Sequence, residues 1–347
     1  MNFERKQDCY ILYPQIDKSN MTNKDRYIRF QQVVNLMKKN LRLGSAALFV
    51  LLCFGIARGY YNLTDDFRIG NYMHEVPYHI AWENQPLSHE EQANLDKILD
   101  QKFEYLGKGA QSFAFISEDN KYILKLFKFK HLKPSWLVEW LPPVGILNEI
   151  RENERIKKLE KLESVFNGYN LAYDCHRKES GLLYVHLNRE TCPGKIVHVT
   201  DKLGLPHQLN LSEIIYVVQE KAVTTRQEMT NLLSKGFVLT AIDRVNQIFD
   251  LYLQEYAKGI YDRDHGVMHN TGFVHGETVY PIHLDIGKLS PSDNMKNLEV
   301  YRSDLMKVVA KFDLWFKENY PQYYPELVQA MENRLSTIFG EEFSLQS

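Results

Sequence analysis

The densest chemistry in the chain lies in Tyr261-Asp-Arg-Asp-His-Gly-Val-Met-His-Asn-Thr-Gly-Phe-Val274. Asp262, Asp264, His265, His269 and Asn270 put two carboxylates, two imidazoles and an amide within nine residues. A stretch this polar, directly after a long apolar helix pattern, points to a loop that faces a site rather than bulk water. Zinc is the weaker chemistry for it, because two His and two Asp without Cys make a poor structural zinc set. Further on, Ile282-His-Leu-Asp-Ile-Gly-Lys288 ends an apolar strand on Asp285. A hard carboxylate at a strand end suits Mg²⁺, and Gly287 lets the chain turn sharply after it.

Upstream stand groups of a complementary kind. Tyr105-Leu-Gly-Lys-Gly-Ala-Gln-Ser-Phe-Ala-Phe115 places Gly107 and Gly109 between two strand patterns. Glycines there let backbone N–H groups approach phosphates with no Cβ in the way. Lys125, in Tyr-Ile-Leu-Lys, shares a strand face with Ile123 and can reach a phosphate as a point charge. Glu149, on a charged helix, is the first candidate to pair with Lys125, and Glu154 the second. Gln219-Glu-Lys-Ala222 closes another apolar strand. Taken singly, these are a hairpin turn, a solvated lysine, a solvated helix face and a strand end. Their order is what is informative.

That order resembles the motifs of the protein-kinase-like superfamily over about residues 101–289. Gly107 and Gly109 are similar to the glycine-rich loop, with Ser112 at the third glycine position. Lys125 is similar to the strand lysine and Glu149 to the helix glutamate. Asp264 and Asn270 resemble the catalytic-loop base and the metal-binding Asn, and Asp285-Ile-Gly287 the Asp-Phe-Gly motif. Gln219 and Lys221 fall at the hinge between lobes. The resemblance implies an α+β bilobal fold, with a mostly β lobe at 101–222 and a helical lobe at 223–347. It implies ATP and Mg²⁺ as cofactors, with Asn270 and Asp285 on the metal and Gly107, Gly109, Ser112, Lys125, Gln219 and Lys221 around the nucleotide. Asp264, Lys125 and Glu149 carry the catalytic roles. The reaction implied is transfer of the ATP γ-phosphate to a hydroxyl on a small molecule, a lipid or a protein.

The chain departs from the pattern in ways that matter. His-Arg-Asp is replaced by Asp-Arg-Asp264-His, and Asp264 stands six residues from Asn270 where the family has five. Asp262 or His265 could therefore serve as the base. No Ala-Pro-Glu follows Asp285, so a long substrate-presenting segment is not expected. These features fit the atypical, small-molecule or lipid branches, and leave open a nucleotide-binding pseudokinase or a membrane-tethered scaffold.

Positioning these groups requires a particular set of elements. Residues 102–106, 112–116 and 121–128 alternate as short strands, and 181–187 and 213–219 read as two more. A charged helix is expected over 146–166. A long amphipathic one is expected over 237–257, where Val238, Ile242, Val245, Phe249, Tyr252 and Tyr256 share a face. Two further helices are expected over 295–318 and 322–339. Ser88, three residues before Glu91, marks a helix start inside a connector at 62–100. Trp136 and Trp140, in the insertion Phe129–Pro143, are expected to pack in the core rather than on a membrane.

Composition sets the outer limits. The chain has 347 residues, 44% apolar and 25% charged, with a net charge of −2. That excludes a disordered, collagenous or multi-span protein and gives no general attraction to nucleic acid. Four cysteines (Cys9, Cys53, Cys175, Cys192) are too few and scattered for a disulfide framework. Residues 1–42 are polar, with an amphipathic helix pattern from about Asp25. Leu43 to Ala57 then carries no charge for fifteen residues before Arg58, Tyr60 and Tyr61. Residues 43–61 are expected to span or lie on a membrane. Lys38, Lys39 and Arg42 before the run favour a cytoplasmic N-terminus, which would set the bulk of the chain opposite the usual supply of ATP.

Overall fold

The computed structural model describes residues 23–83, 86–189 and 194–345, so Cys9 and Cys192 lie outside the described residues. The chain divides into two units, 1–62 and 63–347. The first is dominated by α1 (Asn23–Leu63), a single helix of 41 residues. At 1.5 Å per residue it is about 60 Å long, roughly twice a hydrocarbon core. The expected amphipathic lead-in and the apolar run are thus continuous. Leu48, Phe49, Leu52, Phe54 and Ile56 on it are exposed. Among the described residues it is the one helix long and apolar enough to cross a membrane.

The second unit is mixed α+β. It begins with α2 (Ile69–Tyr72) and α3 (His89–Leu99). Ser88 caps α3 reciprocally: Glu91 N donates to Ser88 Oγ at 3.2 Å and Ser88 N to Glu91 Oε2 at 2.9 Å. There follow β1 (Lys102–Lys108), β2 (Ser112–Ser117), β3 (Tyr122–Phe127), α4 (Trp136–Glu139), α5 (Gly145–Cys175), β4 (Leu182–His186), β5 (Ile196–Thr200), β6 (Pro206–Asn210) and β7 (Tyr216–Glu220). The strands form one sheet in the order β4-β7-β3-β2-β1-β5-β6.

One face of this sheet is covered across β1, β2, β3 and β7 and the other only over β3, β4 and β7, which is why β3 reads as a nearly continuous apolar run around Lys125. Leu124 and Leu126 pack with Phe103, Phe113 and Phe115 against Leu95, Ile98 and Leu99 of α3 and against Phe67 and Tyr72. Phe127, Val185 and Val217 pack on the other face against Leu162, Val165, Phe166 and Tyr169 of α5. Alternation puts Lys125 on the α5 side with Phe127. Within residues 62–100, expected as a connector, Phe67, Tyr72, Leu95, Ile98 and Leu99 supply one wall of the core.

After β7 come β8 (Val223–Thr224), α6 (Thr225–Leu233), α7 (Val238–Ala257), β9 (Ile260–Asp262), α8 (Val267–Asn270), β10 (Thr271–His275), β11 (Val279–His283), β12 (Leu289–Pro291), α9 (Leu298–Asn319) and α10 (Tyr324–Phe339). The apolar stripe of α7 is buried as its period requires, with Val245, Phe249, Tyr252 and Tyr256 meeting Val308, Phe312 and Phe316 of α9. Short sheets β11-β10-β8 and β12-β9 frame the polar stretch between α7 and β10. The β5–β6 pair, paired antiparallel, has no counterpart in the strands expected from sequence.

Trp136 and Trp140 depart from expectation. They are 68% and 82% exposed, so neither is a core residue. The Phe129–Pro143 insertion leaves α4 on the outside, with Phe129 and Leu132 as its buried anchors.

Candidate functional site

Lys125 leaves β3 beneath α5, half-buried, and donates from Nζ to Leu284 O at 2.9 Å. Burial drives its pKa down, the Asp285 carboxylate opposes that, and the result is about 8, which leaves it mostly protonated at neutral pH. Leu284 in turn is fastened to the loop before β10. Leu284 N donates to Asn270 O at 2.6 Å and Asp285 N to the same oxygen at 3.3 Å. Asn270 Nδ2 reaches back to Asp264 O at 3.3 Å. The β10–β11 register, Thr271 opposite His283, forces this meeting, because the next residues out along the hairpin are Asn270 and Leu284. Lys125, far upstream in sequence, is therefore brought against the segment that carries Asp264, Asn270 and Asp285. A Cβ at Gly266 would fall 2.7 Å from Asn270 Nδ2, so the glycine leaves room for the Asn270 amide in its present position.

Asp264 is exposed, and no hydrogen bond to its carboxylate is formed among the described residues. The other two candidate bases are engaged. Asp262 is 1% exposed and accepts from Asp264 N at 2.8 Å. Burial raises its pKa to about 6. His265 Nε2 lies 2.8 Å from Asp304 Oδ1. His269 is exposed.

Glu149 does not reach Lys125. It lies on an exposed part of α5, and neither it nor Glu154 pairs with Lys125 among the described residues; Glu154 faces Lys158 instead. The reason is the length of α5. Its sheet-covering face starts at Leu162. Glu149 stands thirteen residues earlier, about 20 Å along the axis. The helix start was legible, but the turn of it that covers the lysine was not.

The glycine loop closes tightly. Gly109 N donates to Ser112 O at 2.9 Å, and Lys128 Nζ to Gly109 O at 2.8 Å. Gly107 sits at a register shift in β1 with open space around its Cα. Gln111 projects toward Gly287, and its Oε1 is buried without a hydrogen-bond partner. At the expected hinge, Gln219 is buried and its amide donates to Ser180 O at 2.6 Å and His283 O at 3.1 Å. Its side chain is thus a structural tie. Lys221 lines a cleft of about 450 Å³ with Tyr122, Ala222, Phe273 and Tyr280, and this cleft does not include Lys125 or Asp285.

Beneath the convergence lies a buried ionic chain that sequence reading missed. Glu255 Oε1 sits 2.7 Å from His283 Nδ1 and 3.1 Å from His176 Nε2. Lys258 Nζ continues it to Glu179 at 2.8 Å. Burial would raise Glu255, but the two imidazoles hold it at about 2. Burial would lower His283, but Glu255 and Asp262 raise it to about 9. Glu255 lies on the apolar stripe of α7, between Tyr252 and Tyr256, and a charge on such a stripe was the available signal. Gly168 of α5 was equally silent. A Cβ there would fall 2.8 Å from Ile286 O and 3.0 Å from Leu289 O, so the helix rests backbone to backbone on the segment after Asp285.

Among the described residues no three His, Cys, Asp or Glu side chains gather to hold a metal. Asp285 and Asn270 offer a carboxylate and an amide carbonyl. Mg²⁺ characteristically takes few protein ligands of this hard-oxygen kind and completes its shell with phosphate and water. The sequence matches no family model and no curated protein.

Proposed function

We propose that the chain is an ATP-dependent phosphotransferase of atypical protein-kinase-like type, bilobal in its second unit and held at a membrane through residues 43–61. The observation that carries this reading is the convergence of Lys125, Asp285, Asn270 and Asp264 through Leu284 and the β10–β11 hairpin. Lys125, still charged at neutral pH, would hold phosphate oxygens. Asp285 and Asn270 would hold Mg²⁺, which supplies charge neutralisation on the transferred group. Asp264, with its free carboxylate, would orient an acceptor hydroxyl and take its proton. The unpartnered Gln111 Oε1 beside Gly287 fits a pocket that a ligand or water completes, since buried acceptors are rarely left unpaired.

A second reading, nucleotide binding without turnover, is favoured by one observation. Lys125 has no carboxylate from α5 to steady it, and it donates instead to a backbone carbonyl.

Thermal unfolding of the full chain in detergent, with and without Mg·ATP, tests the site. At about 100 times the dissociation constant, binding adds about 2.7 kcal/mol. A Mg²⁺-dependent shift that weakens in Lys125→Ala and Asp285→Asn is expected. A well-folded chain with no shift at millimolar ATP refutes the nucleotide site. Release of γ-phosphate by wild type, lost in Asp264→Asn with the shift retained, separates the phosphotransferase from the binding-only protein. Protease protection in sealed vesicles reads which side of the membrane the second unit occupies. The first reading requires the ATP side.

A further inference from the structure

The insertion between β3 and α5 forms an exposed apolar corner. Trp136 and Leu137 of α4 and Trp140 at its C-terminal cap are 68%, 61% and 82% exposed, and Ile146 and Ile150 at the start of α5 are 71% and 49% exposed. The corner is built rather than frayed. Ser135 caps α4 by accepting from Val138 N at 3.4 Å, Glu139 is ion-paired to Arg155 of α5, and Arg151 donates to Leu141 O at 3.4 Å. The two indoles stand edge to face with centroids 6.5 Å apart. Contiguous exposed aromatic and aliphatic side chains of this kind mark an interaction surface.

Two observations say what covers it. The first is where the corner is tied. Lys130 Nζ pairs with Asp66 at 2.7 Å and Lys133 Nζ donates to Gly70 O at 2.8 Å, so the insertion is fastened to the first residues after α1. Asp66 is three residues beyond Leu63, the end of α1, and three residues reach at most about 11 Å. A helix spanning a bilayer and ending at Leu63 therefore delivers this part of the fold to the bilayer surface. The second is the chemistry of the rim. Burial, with the charges of Lys128, Lys161, Lys130 and Lys158, holds the His131 imidazole below its ordinary range, so these lysines lie near the base of the insertion; Lys128 is itself buried against Gly109 O, which leaves Lys130, Lys158 and Lys161 at the rim. Asp66 and Glu154 answer two of them. Tryptophan above an apolar patch with lysines at its edge is the composition of a membrane-interface contact, with indoles at headgroup level and ammonium groups toward anionic lipid.

We propose that the corner formed by Trp136, Leu137, Trp140, Ile146 and Ile150 inserts into the headgroup–acyl boundary of the same bilayer that holds α1, giving the second unit a second membrane contact. The inference rests on α1 being the membrane anchor and extends that part of the functional reading.

The test uses the full chain reconstituted in phosphatidylcholine–phosphatidylglycerol vesicles, with and without acyl-brominated lipid. Of the four tryptophans, Trp82 and Trp315 are 3% and 6% exposed, so lipid-borne bromine reports on Trp136 and Trp140. Brominated lipid is expected to remove about half of the emission, the share of two indoles among four. Aqueous acrylamide should remove little, and the bromine effect should vanish in Trp136→Ser/Trp140→Ser. Wild type alone decides the matter if that variant misfolds. Quenching by acrylamide and not by brominated lipid overturns the proposal in favour of a water-facing surface. Quenching by neither overturns it in favour of a protein cover, a second copy or another partner. Carbonate extraction of the same vesicles reads the anchor separately. A resistant chain without bromine quenching keeps α1 in the membrane and rejects the corner contact. A chain stripped by carbonate after showing bromine quenching rejects the spanning helix, and with it the proposal of a second contact beside an α1 anchor, leaving the corner as a peripheral contact only.

Discussion

Glu255→Gln should cost about 3 kcal/mol near pH 6 and flatten the alkaline side of the stability curve. Glu255 is fully buried and lies 2.7 Å from His283 Nδ1. The folded pKa of His283 is about 9 against an ordinary 6.5. At 1.36 kcal/mol per pH unit, the gap corresponds to about 3 kcal/mol. The depression of Glu255 to about 2 is the same attraction seen from its other end, so the two are not added. The sign follows from proton uptake. Between 6.5 and 9 the folded state holds the His283 proton more tightly than the unfolded chain, so this stability is complete below 6.5 and lost as pH rises through 9. Asp262, pushed up to about 6 by burial, acts in the same direction in a lower window, its contribution complete below 3.8 and lost through 6. On the acid limb Glu255 reverses the trend: its contribution holds above 4.5 and fails as pH falls toward 2. Removing the carboxylate strands a buried imidazolium, a class of change that costs about 3–5 kcal/mol. Urea unfolding followed by near-ultraviolet circular dichroism at pH 6, 7.5 and 9 measures this. The gap between wild type and Glu255→Gln should be largest at pH 6 and shrink by pH 9. A gap that is absent at pH 6, or constant across the series, would refute the pairing of Glu255 with His283 as a source of stability.

Two further outcomes test how the site is held. Gly168→Ala gains about 1 kcal/mol of helix propensity but drives a methyl against Ile286 O and Leu289 O, where overpacking costs about 1–3 kcal/mol. Because those neighbours are backbone, the cost should win, and the variant should melt lower and respond less to Mg·ATP; a stabilised variant would show that α5 stands further from the segment after Asp285. Gly287→Ala meets mainly the movable amide of Gln111 and should be the milder of the two by the same melts. Glu149→Ala, on the exposed stretch of α5, should leave both melting and the nucleotide response within about 0.5 kcal/mol of wild type, the usual range for surface changes. Loss of the nucleotide response in that variant would mean that α5 swings Glu149 onto Lys125 when ligand binds.

Local rules carried a good part of this protein. Alternation identified β1 and β2 because only one of their faces is buried, while β3, covered on both faces, is apolar at nearly every position, and Lys125 stood out against that background. The period of three and four located α7 because its stripe faces α9. Uninterrupted apolar length marked α1, since that property needs no partner to be read. The polar stretch from Asp262 to Asn270 and the Asp285 strand end were conspicuous by type and spacing alone, and the β10–β11 hairpin unites them through contacts local enough to follow from the strand patterns. Tertiary packing decided the rest. Which turn of α5 covers Lys125 depends on where a long helix meets the sheet, so Glu149 and Glu154 could not be ranked against residues two turns further on. Whether Trp136 and Trp140 face inward depends on the room beside the sheet, which Phe129 and Leu132 take. The union of His176, Glu255 and His283 depends on three elements meeting in the core. Periodicity reports that a residue has a buried face, and only the packed chain supplies what stands opposite it.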